Sequence, residues 1–92
     1  MDIHNNTTNL RFETGVEGEE AYLEYRLHDG KIMLMHTWVP APLEGRGIAG
    51  ALATFAFDHA KAEGLPVVVY CPYVKAWLER HPERKEQVVP GA

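Results

Sequence analysis

Val39-Pro40-Ala41-Pro42-Leu43-Glu44-Gly45-Arg46-Gly47-Ile48-Ala49-Gly50 joins a strong strand pattern to a strong helix pattern, with two prolines followed by three glycines within six residues. Glycine allows a tight turn and lets a ligand approach where a Cβ would block it. The first turn of a helix leaves N–H groups unpaired, with the positive end of the helix dipole behind them. Strand, glycine-rich turn and helix start together make a cradle for a phosphate or pyrophosphate. The competing reading is a tight connection that binds nothing. There is no G-x-x-x-x-G-K-[ST] motif. Gly45-Arg46-Gly47-Ile48-Ala49-Gly50 fits a dinucleotide fingerprint only by its letters, because 92 residues leave no room for the further βα units of that fold.

Working outward, Leu10–Thr14 alternates apolar and polar residues, as does Ala21–Leu27, and Gly15–Gly18 reads as a turn between them. Asp29-Gly30 signals a two-residue hairpin. Lys31 to Val39 is apolar on both faces, with Ile32, Leu34 and Trp38 on one and Met33, Met35 and Val39 on the other, which places it inside a sheet. Gly47 to Glu63 is helical, with Ile48, Leu52, Phe55 and His59 as its stripe and Gly64 as its stop. Pro66–Tyr70 is a short apolar strand, parallel to Lys31–Val39 because a helical crossover joins them. Val74 to His81 reads as a second helix facing inward through Val74, Trp77 and Leu78, and Glu83–Val89 as a further helical turn. The fold class is therefore α/β in the order β-β-β-α-β-α, an antiparallel meander plus one parallel strand in a mixed sheet.

The composition, 46% apolar and 24% charged, is that of one globular domain, expected over residues 9–92 behind a frayed tail at 1–8. A net charge of −4 argues against a nucleic-acid partner. A single cysteine excludes an internal disulfide and fits a reducing, cytoplasmic compartment. Neither a membrane span nor a secretion signal is expected from the apolar runs or the polar start. No histidine pair has metal-site spacing, so no metal is expected.

Glu44-Gly45-Arg46-Gly47-Ile48-Ala49 resembles motif A of the GNAT acetyltransferases, Q/R-x-x-G-x-G/A, at both small-residue positions. His36-Thr37-Trp38-Val39-Pro40, Cys71-Pro72-Tyr73-Val74 and Arg80-His81-Pro82-Glu83 extend the likeness to the very small, stand-alone members, over roughly residues 10 to 89. The resemblance implies a minimal GNAT-like fold and transfer of an acetyl group from acetyl-CoA to an amine. It implies that Gly45, Arg46, Gly47, Ile48, Ala49 and Gly50 hold the coenzyme A pyrophosphate. Backbone at Trp38 and Val39 would pair with the pantetheine arm, where the strand bulges and splays from its neighbour. Two departures stand out. A tight turn at Gly15–Gly18 replaces the helices that wall the acceptor pocket in larger members, and nothing remains after Val89 for two further strands.

Acetyl transfer needs a held donor, a polarised carbonyl, a deprotonated amine and a protonated leaving thiolate. Cys71 lies at a strand end just before a helix start, where a thiol is activated, although a free cysteine also serves as a small core residue. The resemblance favours a role in chemistry. Val74–His81 lacks the tyrosine that often protonates the thiolate in this superfamily, so Cys71, Tyr73 or water would serve. His36 is a base by chemical type. Its alternation with Ile32, Leu34 and Trp38 favours a hydrogen-bonded core histidine over that role, and the Trp38 ring likewise reads as core packing. Many small relatives carry an acid where this chain has Trp38. Arg46 either adds charge to the phosphate site or points into solvent.

Three readings follow: an N-acetyltransferase, a coenzyme A binding module with little catalysis, and a redox-responsive protein using Cys71. The open acceptor side suits a bulky amine on a protein or peptide and a monomer, the alternative being a homodimer whose second subunit supplies the missing wall.

Overall fold

The structure is a computed structural model and describes residues 1–91. Five strands lie in chain order across one sheet: β1 (His4–Asn6), β2 (Arg11–Val16), β3 (Glu19–His28), β4 (Lys31–Trp38) and β5 (Val67–Val69). The first four pair antiparallel and β4–β5 is parallel. Helix α1 (Ile48–Glu63) makes the crossover and α2 (Pro72–Arg80) follows β5. Short 3₁₀ segments occupy Ala41–Leu43 and Pro82–Gln87. This is the mixed α/β sheet expected from the sequence, with one strand added.

That strand corrects the expected frayed tail at 1–8. His4–Asn6 pairs with Arg11–Glu13, and Asn5 accepts a hydrogen bond from the Tyr25 hydroxyl at 2.7 Å. Behind β1, Glu13 is buried on the side of the sheet opposite Phe12. It accepts hydrogen bonds from Arg11 (2.8 Å), Asn6 (3.1 Å) and His4 (3.2 Å). Polar residues at 4 and 6 thus anchor the segment that composition alone marks as a tail.

Two-residue turns set the meander. Asp29-Gly30 has φ of 55° and 71°, as the hairpin signal requires. The first turn is tighter than the Gly15–Gly18 reading: β2 runs on to Val16, and Glu17-Gly18, at φ 52° and 78°, makes the turn.

Both helices cover the same face. Phe12 packs on Phe55 and His59 of α1, and Phe57 of α1 meets Trp77 of α2 with ring centroids 5.2 Å apart. The buried stripe of α1 is Ile48, Leu52, Ala53, Ala56, Phe57 and Ala60, so Phe55 and His59 flank the stripe. Helix α2 buries Val74, Trp77 and Leu78 as expected, and starts two residues early because Pro72 is pre-set for a first helical position.

Register assigns the faces. Phe12, Leu23 and Thr37 form one row beneath the helices, while Glu13, Tyr22 and Trp38 form a row on the uncovered side. On β4 the expected alternation fails after Leu34. Tyr25 pairs with Leu34 but Glu24 pairs with His36, so Met35 is an extra residue, a bulge. The bulge moves His36 and Trp38 off the Ile32–Leu34 face to the uncovered one. Both are exposed, Trp38 by 47%, which corrects the core placement read for each.

Beyond α2 the chain returns to the sheet. Val88 bridges Val67, and the Val89 N–H donates to the Val67 carbonyl at 2.8 Å. Among the described residues no helix is long and apolar enough to cross a membrane, and no group of three or more His, Cys, Asp or Glu is placed to hold a metal ion.

Candidate active site

Two features of the backbone create the site. First, β4 and β5 part company: pairing ends at Leu34 and Val69, and the Leu34 carbonyl accepts from both Tyr70 and Cys71 N–H, at 2.9 and 3.0 Å. The bulge at Met35 begins where that pairing stops. Second, the chain leaving β4 meets Pro40, which cannot donate to a sheet, and winds through the 3₁₀ turn to the glycine loop.

The loop has the geometry that only glycine adopts freely. Gly45 and Gly47 have φ of 79° and 76°, and a Cβ built on either would stand in open space. Gly47 is the N-cap of α1 and offers no side chain to the first turn. No acidic residue stands in that turn. The N–H groups at the start of α1 are therefore available to an anion.

A cleft of about 220 Å³ opens here, lined by Val39, Leu43, Glu44, Gly45, Gly47, Ile48, Ala49, Gly50 and Tyr73. Of the residues assigned to coenzyme A by resemblance, Val39, Gly45, Gly47, Ile48, Ala49 and Gly50 line it, while the side chains of Trp38 and Arg46 lie elsewhere. Leu43, fully buried, and Glu44 were not foreseen as lining. Arg46 donates from Nη1 to Glu17 Oε1 at 2.9 Å, across 29 residues of sequence, and both side chains are solvent-exposed. The hydrogen bond and charge of Arg46 hold the Glu17 carboxyl below its ordinary range, and those of Glu17 raise the Arg46 guanidinium.

The candidate catalytic residues are divided between the two faces. Tyr73, half-buried, reaches toward α1, its hydroxyl 3.5 Å from where a Cβ on Gly50 would sit. Cys71 is 1% exposed at the N-cap of α2, and its Sγ lies 3.2 Å from Thr37 Oγ1. Thr37, unforeseen, reaches the helix-covered side because of the bulge. His36 stands on the other side, exposed, its ring 6.4 Å from that of Tyr22. Cys71 does not line the cleft.

A profile of the family described as GCN5-related N-acetyl-transferase matches residues 11–88. The chain belongs to that family. The match runs from the first residue of β2 to Val88, so the loop, the parting strands and the Cys71 corner all lie within it. The NMR solution structure of a GCN5-like candidate N-acetyltransferase from Staphylococcus aureus has the same fold, with a TM-score of 0.75 over 99% of this chain and 90% of that one, at 23% identity. As an acetyltransferase domain of the family, the chain is built almost entirely from the sheet and the two helices that frame the cleft.

Proposed function

We propose that the protein transfers an acetyl group from acetyl-CoA to an amine, with the donor held in the cleft at the start of α1. The observation that carries this reading is the parting of β4 from β5 directly beside an uncapped, glycine-lined helix start in a member of this family. The N–H groups at Gly45–Gly50 suit the pyrophosphate, and the unpaired edge of β4 near Trp38 and Val39 suits the amide-bearing pantetheine arm.

The two faces then divide the labour. On the uncovered face, His36 takes the proton of the attacking amine. On the helix side, Tyr73 or Cys71 returns a proton to the leaving thiolate. The amine nitrogen bonds to the thioester carbonyl carbon, the carbon–sulfur bond breaks, and the products are an amide and free coenzyme A. The free Cys71 thiol suits a reducing cytoplasm.

The acceptor side is a bare sheet face with a tight turn at Glu17-Gly18, open to a lysine side chain or N-terminus of a protein or peptide and consistent with a monomer. An acceptor screen tests the whole reading. Acetyl-CoA should raise the melting temperature, and peptide amines should release free coenzyme A faster than polyamines or amino acids do. Binding without release by any amine would leave a coenzyme A binding module; no binding would discard the donor site. A stable dimer that acetylates a small free amine efficiently would overturn the open-face acceptor.

A further inference from the structure

The glycine loop carries one basic residue, Arg46, and its side chain does not line the cleft. Gly45 and Gly47 on either side of it do. The guanidinium instead reaches the tip of the β2–β3 hairpin and pairs with Glu17. The lining itself holds one ionisable acid, Glu44, and no lysine or arginine. Among the lining residues, backbone N–H groups alone offer positive charge to a ligand, and the loop's own guanidinium is already paired with a carboxylate.

Such a pair is built to exchange. Both side chains are solvent-exposed, 44% for Arg46 and 65% for Glu17, and exposed ion pairs hold weakly. A phosphate offers a guanidinium two parallel charge-assisted hydrogen bonds, a stronger partner than one exposed carboxylate oxygen. Arg46 sits between two glycines that line the cleft, so its backbone already borders the site while its side chain pairs with Glu17.

We propose that Glu17 tempers the cleft's preference for phosphorylated donors by competing with the ligand's phosphate for Arg46. A donor that carries a pyrophosphate captures Arg46 and releases Glu17 to solvent. A pantetheine thioester without the pyrophosphate leaves the pair closed and gains nothing from Arg46. This rests on the cleft being the acetyl-CoA site.

Calorimetric titration of the full chain tests it, with circular dichroism confirming that each variant folds. Glu17→Gln keeps the size of the turn residue and should tighten acetyl-CoA binding about two- to fivefold, the worth of an exposed ion pair. The gain should vanish in an Arg46→Gln background and with S-acetylpantetheine as ligand. Unchanged or weaker acetyl-CoA binding by Glu17→Gln overturns the proposal, because the pair then braces the loop. An equal gain without Arg46, or with S-acetylpantetheine, overturns it as well, since general repulsion would explain it. Failure of the unaltered protein to bind acetyl-CoA removes the donor site itself, a result distinct from any of these.

Discussion

Thr37 and Cys71 meet where β4 and β5 diverge, Oγ1 3.2 Å from Sγ, so that side chains from beyond the two strands' last paired residues touch across the opening. Cys71 occupies the N-cap of α2 yet makes no capping bond, so its sulfur has the threonine hydroxyl as its polar neighbour. A hydroxyl there can donate to a thiolate and hold the sulfur in one rotamer.

Thr37→Val keeps the volume and removes that donor. Because Cys71 is buried, iodoacetamide reaches it only when this corner opens, so its alkylation at neutral pH should speed up about two- to tenfold, the equivalent of one lost hydrogen bond. Thr37→Ser should keep the native rate. In the unaltered protein, saturating acetyl-CoA should slow the same reaction, because a donor bound between β4 and α2 would hold this corner closed. Equal rates with and without acetyl-CoA would assign Cys71 to packing alone.

Gly47→Glu should abolish acetyl-CoA binding while the fold survives. The substituted Cβ meets nothing within 4 Å, so the structural cost is confined to the positive φ of 76°, about 1–2 kcal/mol for a non-glycine residue. The carboxylate would stand where phosphate is expected, and juxtaposed like charges cost several kcal/mol, more than about a hundredfold in affinity. Titration calorimetry with a folded variant decides it, and retained affinity would sink the loop assignment.

Glu13 gives stability a pH dependence. Burial pushes its carboxyl up, but hydrogen bonds from Asn6 and Arg11, the charge of Arg11 and the His4 contact outweigh this, and the net shift is downward. A folded-state value below the unfolded one stabilises above the ordinary carboxylate range, near pH 4.3, and that contribution is lost as pH falls through the lowered value. Glu13→Gln should therefore cost about 1–3 kcal/mol in urea unfolding at pH 7, since it weakens hydrogen bonds to a charged group. The difference from the unaltered protein should shrink at pH 3.

Thr14 runs the opposite way. It is 1% exposed and its hydroxyl has no hydrogen-bond partner. Thr14→Val replaces that hydroxyl with a methyl group of the same shape and should raise stability by about 1 kcal/mol, the cost of an unsatisfied buried group. A lowered urea midpoint would show that the hydroxyl is satisfied in solution.

The sequence is most legible where one local rule decides the outcome. The Asp29-Gly30 turn, the helix start at Gly47, the stop at Gly64 and the parallel placement of β5 all follow from backbone chemistry or crossover handedness. Gly64, for example, takes φ 67° and lets the Leu65 N–H donate back to Ala60 at 2.8 Å. The misplacements share a cause of a different kind. Nothing in Met33-Leu34-Met35-His36 announces an extra residue, because the bulge is defined by the partner strand. Once it is present, period-two reading puts His36, Thr37 and Trp38 on the wrong faces. Glu17 and Arg46 are likewise invisible as a pair, since only the folded hairpin brings them together. The β1 strand was hidden by polarity: His4 and Asn6 serve a buried carboxylate, and a composition argument counts them as tail.

The return of Val88 and Val89 to β5 has a consequence for how copies of this molecule treat one another. Val67-Val68-Val69 is a run of β-branched residues whose inner edge is taken by β4, and whose outer edge would be a bare rail of amide groups. Such a rail is a template for strand addition by a neighbouring chain and, from there, for aggregation. The Val67–Val88 bridge and the Val89 bond occupy its first position, at Val67, from within the same polypeptide. The opposite border of the sheet, three residues of polar β1, is too short and too hydrophilic to recruit a partner. Residues 88 and 89 thus cover the start of the β5 border with backbone from the same chain.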